Sequence, residues 1–152
     1  MGTNIVLNIE SRTHLGRKSA TSSLVDSRKV AFLAACAAES KKATSTVVLD
    51  VAKVTLIADF FVFAGADSKA QVKAIVEAIL SSLEEKGRQA KSVEGLQDAR
   101  WVLIDFGDVI IHVLQGEERE YYKLEQFWNH AFMVDKEEWT NFDSNDDNLV
   151  EE

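Results

Sequence analysis

Residues 100–128 place the tightest limit on what this chain can fold into. They contain two apolar runs of strand length, residues 101–106 and 109–114, with Gly107 and Asp108 between them. A glycine and an aspartate between two such runs favour a tight turn, so the runs predict neighbouring strands. Residues 117–131 then repeat apolar side chains at helical spacing, and acids crowd the first turn, where the helix dipole favours negative charge. The segment therefore predicts strand, strand and helix.

An earlier pair of strands is predicted at residues 46–51 and 60–64, because both runs are rich in β-branched or aromatic side chains. The link between them, residues 53–59, is too short for a typical crossover helix. It favours antiparallel pairing or an irregular connection.

Two further helices are predicted, at residues 27–42 and 68–86. Asp26 or Ser27 suits the N-cap of the first. The second carries a continuous apolar stripe and is followed by Gly87, a residue typical of C-terminal caps. The resulting order, α-β-β-α-β-β-α, predicts an α+β fold: an α/β sandwich in which helices cover one face of a mixed sheet.

The chain is predicted to hold one domain, residues 27–132, between two polar flanks. Residues 1–26 are rich in Ser, Thr and Asn without periodicity, which predicts a flexible extension. Residues 133–152 carry eight acidic side chains and one basic side chain. They predict an acidic tail, and because they lack an apolar periodicity we expect its removal to leave the fold intact.

Composition excludes several classes of function. The net charge of −8 makes the chain a poor direct binder of phosphate backbones and favours a basic protein partner. No apolar run approaches the roughly 20 residues needed to span a bilayer. The single cysteine, Cys36, excludes an internal disulfide and fits a small packed thiol. A cytoplasmic location is favoured, and an organellar transit peptide in the Ser- and Arg-containing first residues is the less favoured alternative.

Two groups of residues could carry enzyme chemistry. Gly65 to Ser68 join a strand to a helix, where backbone N–H groups attract anions, although a routine N-cap explains the same residues. Asp105 and Asp108, with Asp50 from another strand, could hold Mg²⁺ for phosphoryl transfer. Turn formation and local hydrogen bonds are the favoured explanation for these acids. We therefore predict no catalytic group, no metal and no cofactor.

The alternation of side chains along residues 101–106 predicts two different faces. Val102, Ile104 and Phe106 should face the helices, while Trp101, Leu103 and Asp105 should lie on the other, more exposed face. An exposed tryptophan is a favoured anchor of protein interfaces.

Two other residues also suggest a contact surface. Tyr122 lies off the core stripe of the last predicted helix. Packing at the edge of the core is the alternative explanation for both Trp101 and Tyr122. His112 interrupts an apolar strand and is either a hydrogen-bonded structural residue or a partner contact.

Several blocks, taken together in their order and spacing, resemble the ribosomal silencing factor family, also called Iojap. They cover residues 27–131 and read VVLDV, TLIADFFVFAGADSKAQVKAI, EG, WVLIDFGDVIIHV and EEREYYKLEQFW. The chain departs from the family at residues 64–68, where Ala-Gly-Ala-Asp-Ser stands in place of the frequent Ser-Gly-Asn-Ser. This difference affects the turn and not the expected binding surface.

The resemblance implies a binding protein with a nucleotidyltransferase-like fold and without working catalytic groups. Its expected partner is the large ribosomal subunit, bound through the protein uL14 with little or no direct rRNA contact, so that the small subunit cannot join and translation falls. The resemblance also allows a homodimer. The implied contact residues are Trp101, Asp105, Asp108, His112, Tyr122 and Leu124. A nucleotidyltransferase-like metal-dependent enzyme is the alternative function.

Overall fold

The structure, a computed structural model, describes residues 26–116 and 132–144. Within these residues the chain forms three helices and six strands. In chain order they are α1 (Ser27–Ser40), β1 (Thr46–Asp50), β2 (Phe60–Ala66), α2 (Lys69–Glu85), β3 (Ser92–Glu94), β4 (Trp101–Asp105), β5 (Val109–Gln115), β6 (Phe132–Met133) and α3 (Lys136–Ser144). The predicted helix over residues 117–131 lies outside the described residues.

The six described strands form one mixed sheet in the order β3-β4-β5-β2-β1-β6. The central neighbours β2 and β5 run parallel, with Phe60 opposite Val109. All other described neighbours pair antiparallel, including the predicted pairs β1–β2 and β4–β5. The structure therefore confirms the predicted α+β class with its mixed sheet.

One face of the sheet packs against all three described helices, and we call it the helix face. Its core combines Val62 of β2, Ile104 of β4 and Ile111 of β5 with the apolar stripe of α2. That stripe consists of Val72, Ile75, Val76, Ile79 and Leu83. Val102, Ile104 and Phe106 belong to this core, as the strand alternation predicts.

The opposite face, which we call the Trp101 face, carries a second apolar core. It contains Phe61 and Phe63 of β2, Leu103 of β4 and Ile110 of β5. The connection between β1 and β2 adds further buried side chains to this core: Val51, Ile57 and Ala58. The sheet is therefore apolar on both faces.

The helix ends match the predicted caps. Asp26 accepts a hydrogen bond from the backbone N–H of Lys29 at the start of α1, and Ser68 accepts one from Gln71 at the start of α2. After α2 the chain turns at Gly87, whose positive φ allows the N–H of Arg88 to reach the carbonyl of Leu83. This is the geometry of a Schellman cap.

Residues 132–144 correct the expectation of an acidic tail that begins at residue 133. Phe132 and Met133 pair with β1 at the sheet edge, and α3 packs against α1. Trp139 is completely buried in the helix-face core, and its carbonyl lies 3.2 Å from the Cys36 thiol. Few apolar side chains hold this segment in place, and they stand among many acidic residues. The composition of the segment therefore did not indicate that it packs against the fold.

Aromatic and charged contacts also join α3 to α1. The rings of Phe142 and Phe32 meet edge to face with centroids 5.3 Å apart. Arg28 pairs with Glu138 while its guanidinium lies over the Phe32 ring. The half-exposed charges contribute little, so the buried aromatic side chains carry most of this packing.

The short strand β3 also differs from the expectation, because residues 88–99 are predicted as a loop. Three of them pair antiparallel with β4, from Ser92 opposite Asp105 to Glu94 opposite Leu103. The pairing is imposed by the neighbouring strand and not by a local apolar pattern. Among the described helices, none has the length and hydropathy that crossing a bilayer requires.

Replacement of Trp139 by Ala should lower the free energy of unfolding by about 3–5 kcal/mol, because it removes a large side chain that is only 1% exposed. Urea denaturation monitored by circular dichroism would measure this loss. The exposed Glu137 on the same helix provides the control, and its change to Ala should cost less than about 0.5 kcal/mol. Equal stability of the two variants would show that the segment is dispensable, as the sequence-based expectation holds.

Candidate functional site

Trp101 begins β4 on the Trp101 face, at the rim of the second core. Its side chain is partly buried, whereas the neighbouring core residues Leu103 and Leu114 are each 5% exposed. Of the apolar side chains that pack against this core in the described part of the chain, only Trp101 and Val47 keep substantial exposure. Trp101 is therefore a partly exposed aromatic side chain at the end of a filled core.

The backbone at Trp101 is fixed by the preceding loop. Gly95 has a positive φ of 85°, and a Cβ at this position would collide with the Trp101 carbonyl oxygen. The N–H of Ala99 donates to the Gly95 carbonyl, and the N–H of Gln115 donates to the carbonyl of Arg100. A glycine is required at this approach, which sets where β4 starts.

The buried His112 contacts the Trp101 side chain from the interior of the fold. The indole Nε1–H donates to His112 Nδ1 over 3.1 Å, and the two rings meet edge to face at 6.1 Å. His112 in turn stacks on Phe63 with centroids 4.7 Å apart and touches the edge of Phe61 at 5.8 Å. The pair spans neighbouring strands, because Trp101 lies opposite Leu114 and His112 lies opposite Leu103.

The protonation state of His112 follows from these contacts. Its side chain is fully buried, and desolvation lowers its pKa from 6.5 to about 3, so the ring is neutral at pH 7. Because Nδ1 accepts the indole hydrogen bond, the proton of the neutral ring lies on Nε2. Nε2 has no hydrogen-bond partner within residues 26–116 and 132–144.

The burial of three predicted contact residues corrects the expectation of an exposed contact surface. Asp105 and Asp108 are each 5% exposed and His112 is completely buried, as is most of Leu103. These acids and the histidine lie beneath the surface in this conformation. Trp101 is the one predicted contact residue within the described part of the chain that reaches the surface. Tyr122 and Leu124 lie outside the described residues.

Asp105 and Asp108 shape the turn between β4 and β5. Asp105 accepts a hydrogen bond from the Gly107 N–H over 2.7 Å. The carbonyl of Asp108 accepts from the N–H groups of Asp59 and Phe60, which ties the start of β2 to the same turn. These roles agree with turn formation and local hydrogen bonding, the favoured explanation of the two acids.

Arg88 neutralises the buried Asp108 carboxylate. Its Nη2 lies 2.7 Å from Asp108 Oδ1 and also donates to the Phe106 carbonyl over 3.2 Å. The side chains of both partners are largely buried. A charged pair in such a place is strongly coupled to folding, because loss of one partner leaves the other charge without compensation.

The three acids proposed for a metal do not come together. Asp50 ends β1, and two strands separate β1 from β4, which places Asp50 roughly 14 Å from Asp105 at the usual strand spacing. The two residues also belong to opposite faces, because Asp50 has the register parity of Val48 and Asp105 that of Leu103. Within the described residues no group of three or more His, Cys, Asp or Glu side chains could hold a metal ion.

The turn before α2 is closed by its own side chains. Gln71 accepts from the Asp67 N–H over 2.7 Å and donates to the carbonyls of Lys41 and Lys42. A Cβ on Gly65 would lie 2.6 Å from the Thr44 hydroxyl, so the chain before β1 fills the space beside this glycine. The N-cap explanation of these residues is therefore confirmed.

Comparison with known proteins gives the family. The family model described as ribosomal silencing factor during starvation matches residues 25–151. The ribosomal silencing factor RsfS of Bacillus subtilis is 39% identical over 111 residues, which is 73% of this chain and 94% of that protein. The RsfS protein of Halalkalibacterium halodurans is 44% identical over 105 residues, which is 69% of this chain and 90% of that protein. The chain belongs to the ribosomal silencing factor family.

A solved structure supports the same assignment. A crystal structure of a protein from Chromobacterium violaceum has a TM-score of 0.65 at 33% identity and covers 69% of this chain and 88% of that one. The family match also extends past residue 131, where the resemblance in the sequence ended. This agrees with the inclusion of residues 132–144 in the fold.

Sequence reasoning missed several residues that build the site in this ribosomal silencing factor. Phe63 stacks beneath His112, Arg88 pairs with Asp108, and Gly95 sets the start of β4. The Trp101–His112 contact could have been found, because hairpin pairing of the two strands puts both side chains on one face. Arg88 and Asp108 are 20 positions apart, and no local pattern connects them.

The burial of His112 should make folding stability depend on pH. The folded-state pKa lies below the usual 6.5, so between pH 6.5 and about pH 3 the unfolded chain binds a proton that the folded chain does not. This contribution to stability is fully present above pH 6.5 and falls as the pH drops, by up to about 1.4 kcal/mol per pH unit. Urea denaturation of the natural chain and of His112→Asn between pH 7 and 4.5 would isolate it. Parallel pH profiles of the two proteins would refute the prediction.

Replacement of Arg88 by Ala should lower the free energy of unfolding at pH 7 by about 3 kcal/mol or more, because Asp108 would remain buried without a cation. Lys73 on the exposed side of α2 is the matched control, with an expected change below about 0.5 kcal/mol on replacement by Ala. Thermal and urea denaturation would both report the difference. A loss under about 1 kcal/mol for Arg88→Ala would mean that the pair is not a structural requirement.

Proposed function

We propose that this chain binds the large ribosomal subunit through the protein uL14 and prevents the small subunit from joining, which lowers translation. Membership of the ribosomal silencing factor family supports a ribosomal partner. The cytoplasm, where subunits associate, is the proposed place of action. The nucleotidyltransferase-like alternative lacks support, because Asp50 and Asp105 lie far apart on opposite faces.

The observation that carries the proposal is the position of Trp101. This side chain is large, partly exposed and fixed by a hydrogen bond to a buried residue. Tryptophan is enriched at the centres of protein interfaces because it buries a large apolar area with few rotatable bonds. We infer that Trp101 is the anchor of the contact, with Tyr122 and Leu124 as further proposed contacts.

The proposed mechanism is steric. Once the domain is anchored on uL14, its bulk occupies the space that the small subunit needs, and no bond is made or broken. The net charge of −8 favours a basic protein over the phosphate backbone of rRNA, because opposite potentials steer association. If two copies of the chain associated through the same aromatic surface, that association would compete with binding to uL14. A homodimer formed through Trp101 would therefore not block subunit joining.

A subunit-joining experiment tests the proposal directly. Purified large and small subunits are mixed at a Mg²⁺ concentration that favours joining, with and without the protein, and are separated by sucrose-gradient sedimentation. We expect free subunits to accumulate and the protein to sediment with the large subunit. Full joining at a saturating protein concentration would overturn the steric mechanism. Crosslinking with mass spectrometry would identify uL14 or another partner.

Replacement of Trp101 by Ala should weaken binding to the large subunit by about 30-fold or more, corresponding to roughly 2 kcal/mol. Cosedimentation with isolated large subunits would measure the dissociation constant. The matched control is Leu56→Ala, since Leu56 is 80% exposed and lies in the connection at the opposite end of the sheet. Unchanged binding by Trp101→Ala would remove Trp101 from the interface, and equal weakening by both variants would show that the loss is not specific to Trp101.

A further inference from the structure

We propose that His112 is a positioning residue for partner binding: its Nδ1 fixes the Trp101 indole in the orientation that the partner recognises, although His112 itself does not touch the partner. This inference rests on the proposed function and assigns to His112 an indirect role in place of a direct contact. It is carried by the geometry of four aromatic side chains on the Trp101 face.

His112 is itself enclosed by neighbouring side chains. Its ring is completely buried, stacks on Phe63 at 4.7 Å with an interplanar angle of 19°, and meets the edge of Phe61. In the sheet its neighbours are Phe63 of β2 and Leu103 of β4, both apolar. The acceptor Nδ1 therefore occupies a fixed point under the rim of the sheet.

Trp101 has more freedom without this acceptor. It is the first residue of β4, its side chain is partly exposed, and it packs against the second core. The 3.1 Å hydrogen bond to His112 and the edge-to-face contact at 6.1 Å select one arrangement of the ring. An anchor that is already in its bound orientation avoids the cost of ordering a side chain on association.

The same hydrogen bond determines what Trp101 can offer to a partner. The indole has a single donor, and that donor is directed into the protein. The exposed part of the side chain is therefore the apolar ring. A complementary site on the partner should present apolar or cationic groups to this ring and needs no hydrogen-bond acceptor for it.

Two substitutions of His112 separate positioning from stability. His112→Phe keeps a ring that can stack on Phe63 but removes the acceptor, so the indole N–H of the partly exposed Trp101 loses its partner. His112→Asn loses the ring but places an amide oxygen near the position of Nδ1. A purely structural role predicts weaker binding for the less stable variant. Positioning predicts weaker binding for the Phe variant, whatever the order of stabilities.

The test uses the full chain labelled with ¹⁵N. The indole resonance of Trp101 is assigned from its loss in Trp101→Phe, and the scalar coupling across the hydrogen bond between Trp101 Nε1 and His112 Nδ1 is then measured. We expect this coupling in the natural chain and its loss in His112→Phe. Absence of the coupling in the natural chain would overturn the inference without reference to any variant.

Binding to isolated large subunits is measured in parallel by cosedimentation, with thermal denaturation as the check on folding. We expect His112→Phe to bind about 5–10-fold more weakly, and His112→Asn to bind within about twofold of the natural chain. Binding by His112→Phe equal to that of the natural chain would overturn the inference while the proposed function stands. Failure of the natural chain itself to bind would overturn the proposed function. The coupling is measured on the chain alone, so failure of the inference and failure of the proposed function can be told apart.

Discussion

The parallel pairing of β2 with β5 at the centre of the sheet is the constraint on which the other features depend. Every residue of β2, and every residue of β5 except Gln115, is buried. Strands that are buried on both faces need cover on both faces. The helices supply it on one side, while Val51, Ile57 and Ala58 from the β1–β2 connection contribute on the other. The Trp101 face is therefore a core with an accessible rim, at which Trp101 is partly exposed.

Much of this architecture could be predicted because the apolar patterns are long and regular. The strands β1, β2, β4 and β5 and the helices α1 and α2 lie close to their predicted bounds, and their pairing follows from turn and link lengths. The short pieces could not be predicted in the same way. β3 and β6 have three and two residues, and each exists because a longer strand offers its edge. In the sequence of α3, Trp139 and Phe142 stand among polar residues, so no local apolar pattern indicates their tertiary contacts.

The side-chain alternation predicted which residues of β4 share a face, but it did not predict how deeply they are buried. Alternation along β4 places Trp101, Leu103 and Asp105 on one face, and they do share it. The expected exposure of that face was wrong for Leu103 and Asp105, which are each only 5% exposed. The buried Asp108 carboxylate is paired with a cation, and this cation, Arg88, reaches it from just beyond the Schellman cap of α2. Ion pairs such as this one depend on the topology of the fold, which a local sequence pattern does not reveal.

The two ends of the β4–β5 hairpin have different roles. At one end, acids and Arg88 hold the turn, and their hydrogen-bonding capacity is directed into the fold. At the other end, about 13 Å along β4, Trp101 emerges over a neutral histidine. Desolvation keeps His112 uncharged, and only an uncharged imidazole can accept the indole hydrogen bond. The burial that removes His112 from solvent is thus also the condition for its hydrogen bond to Trp101. An exposed histidine at the same register would lose that acceptor whenever it became protonated.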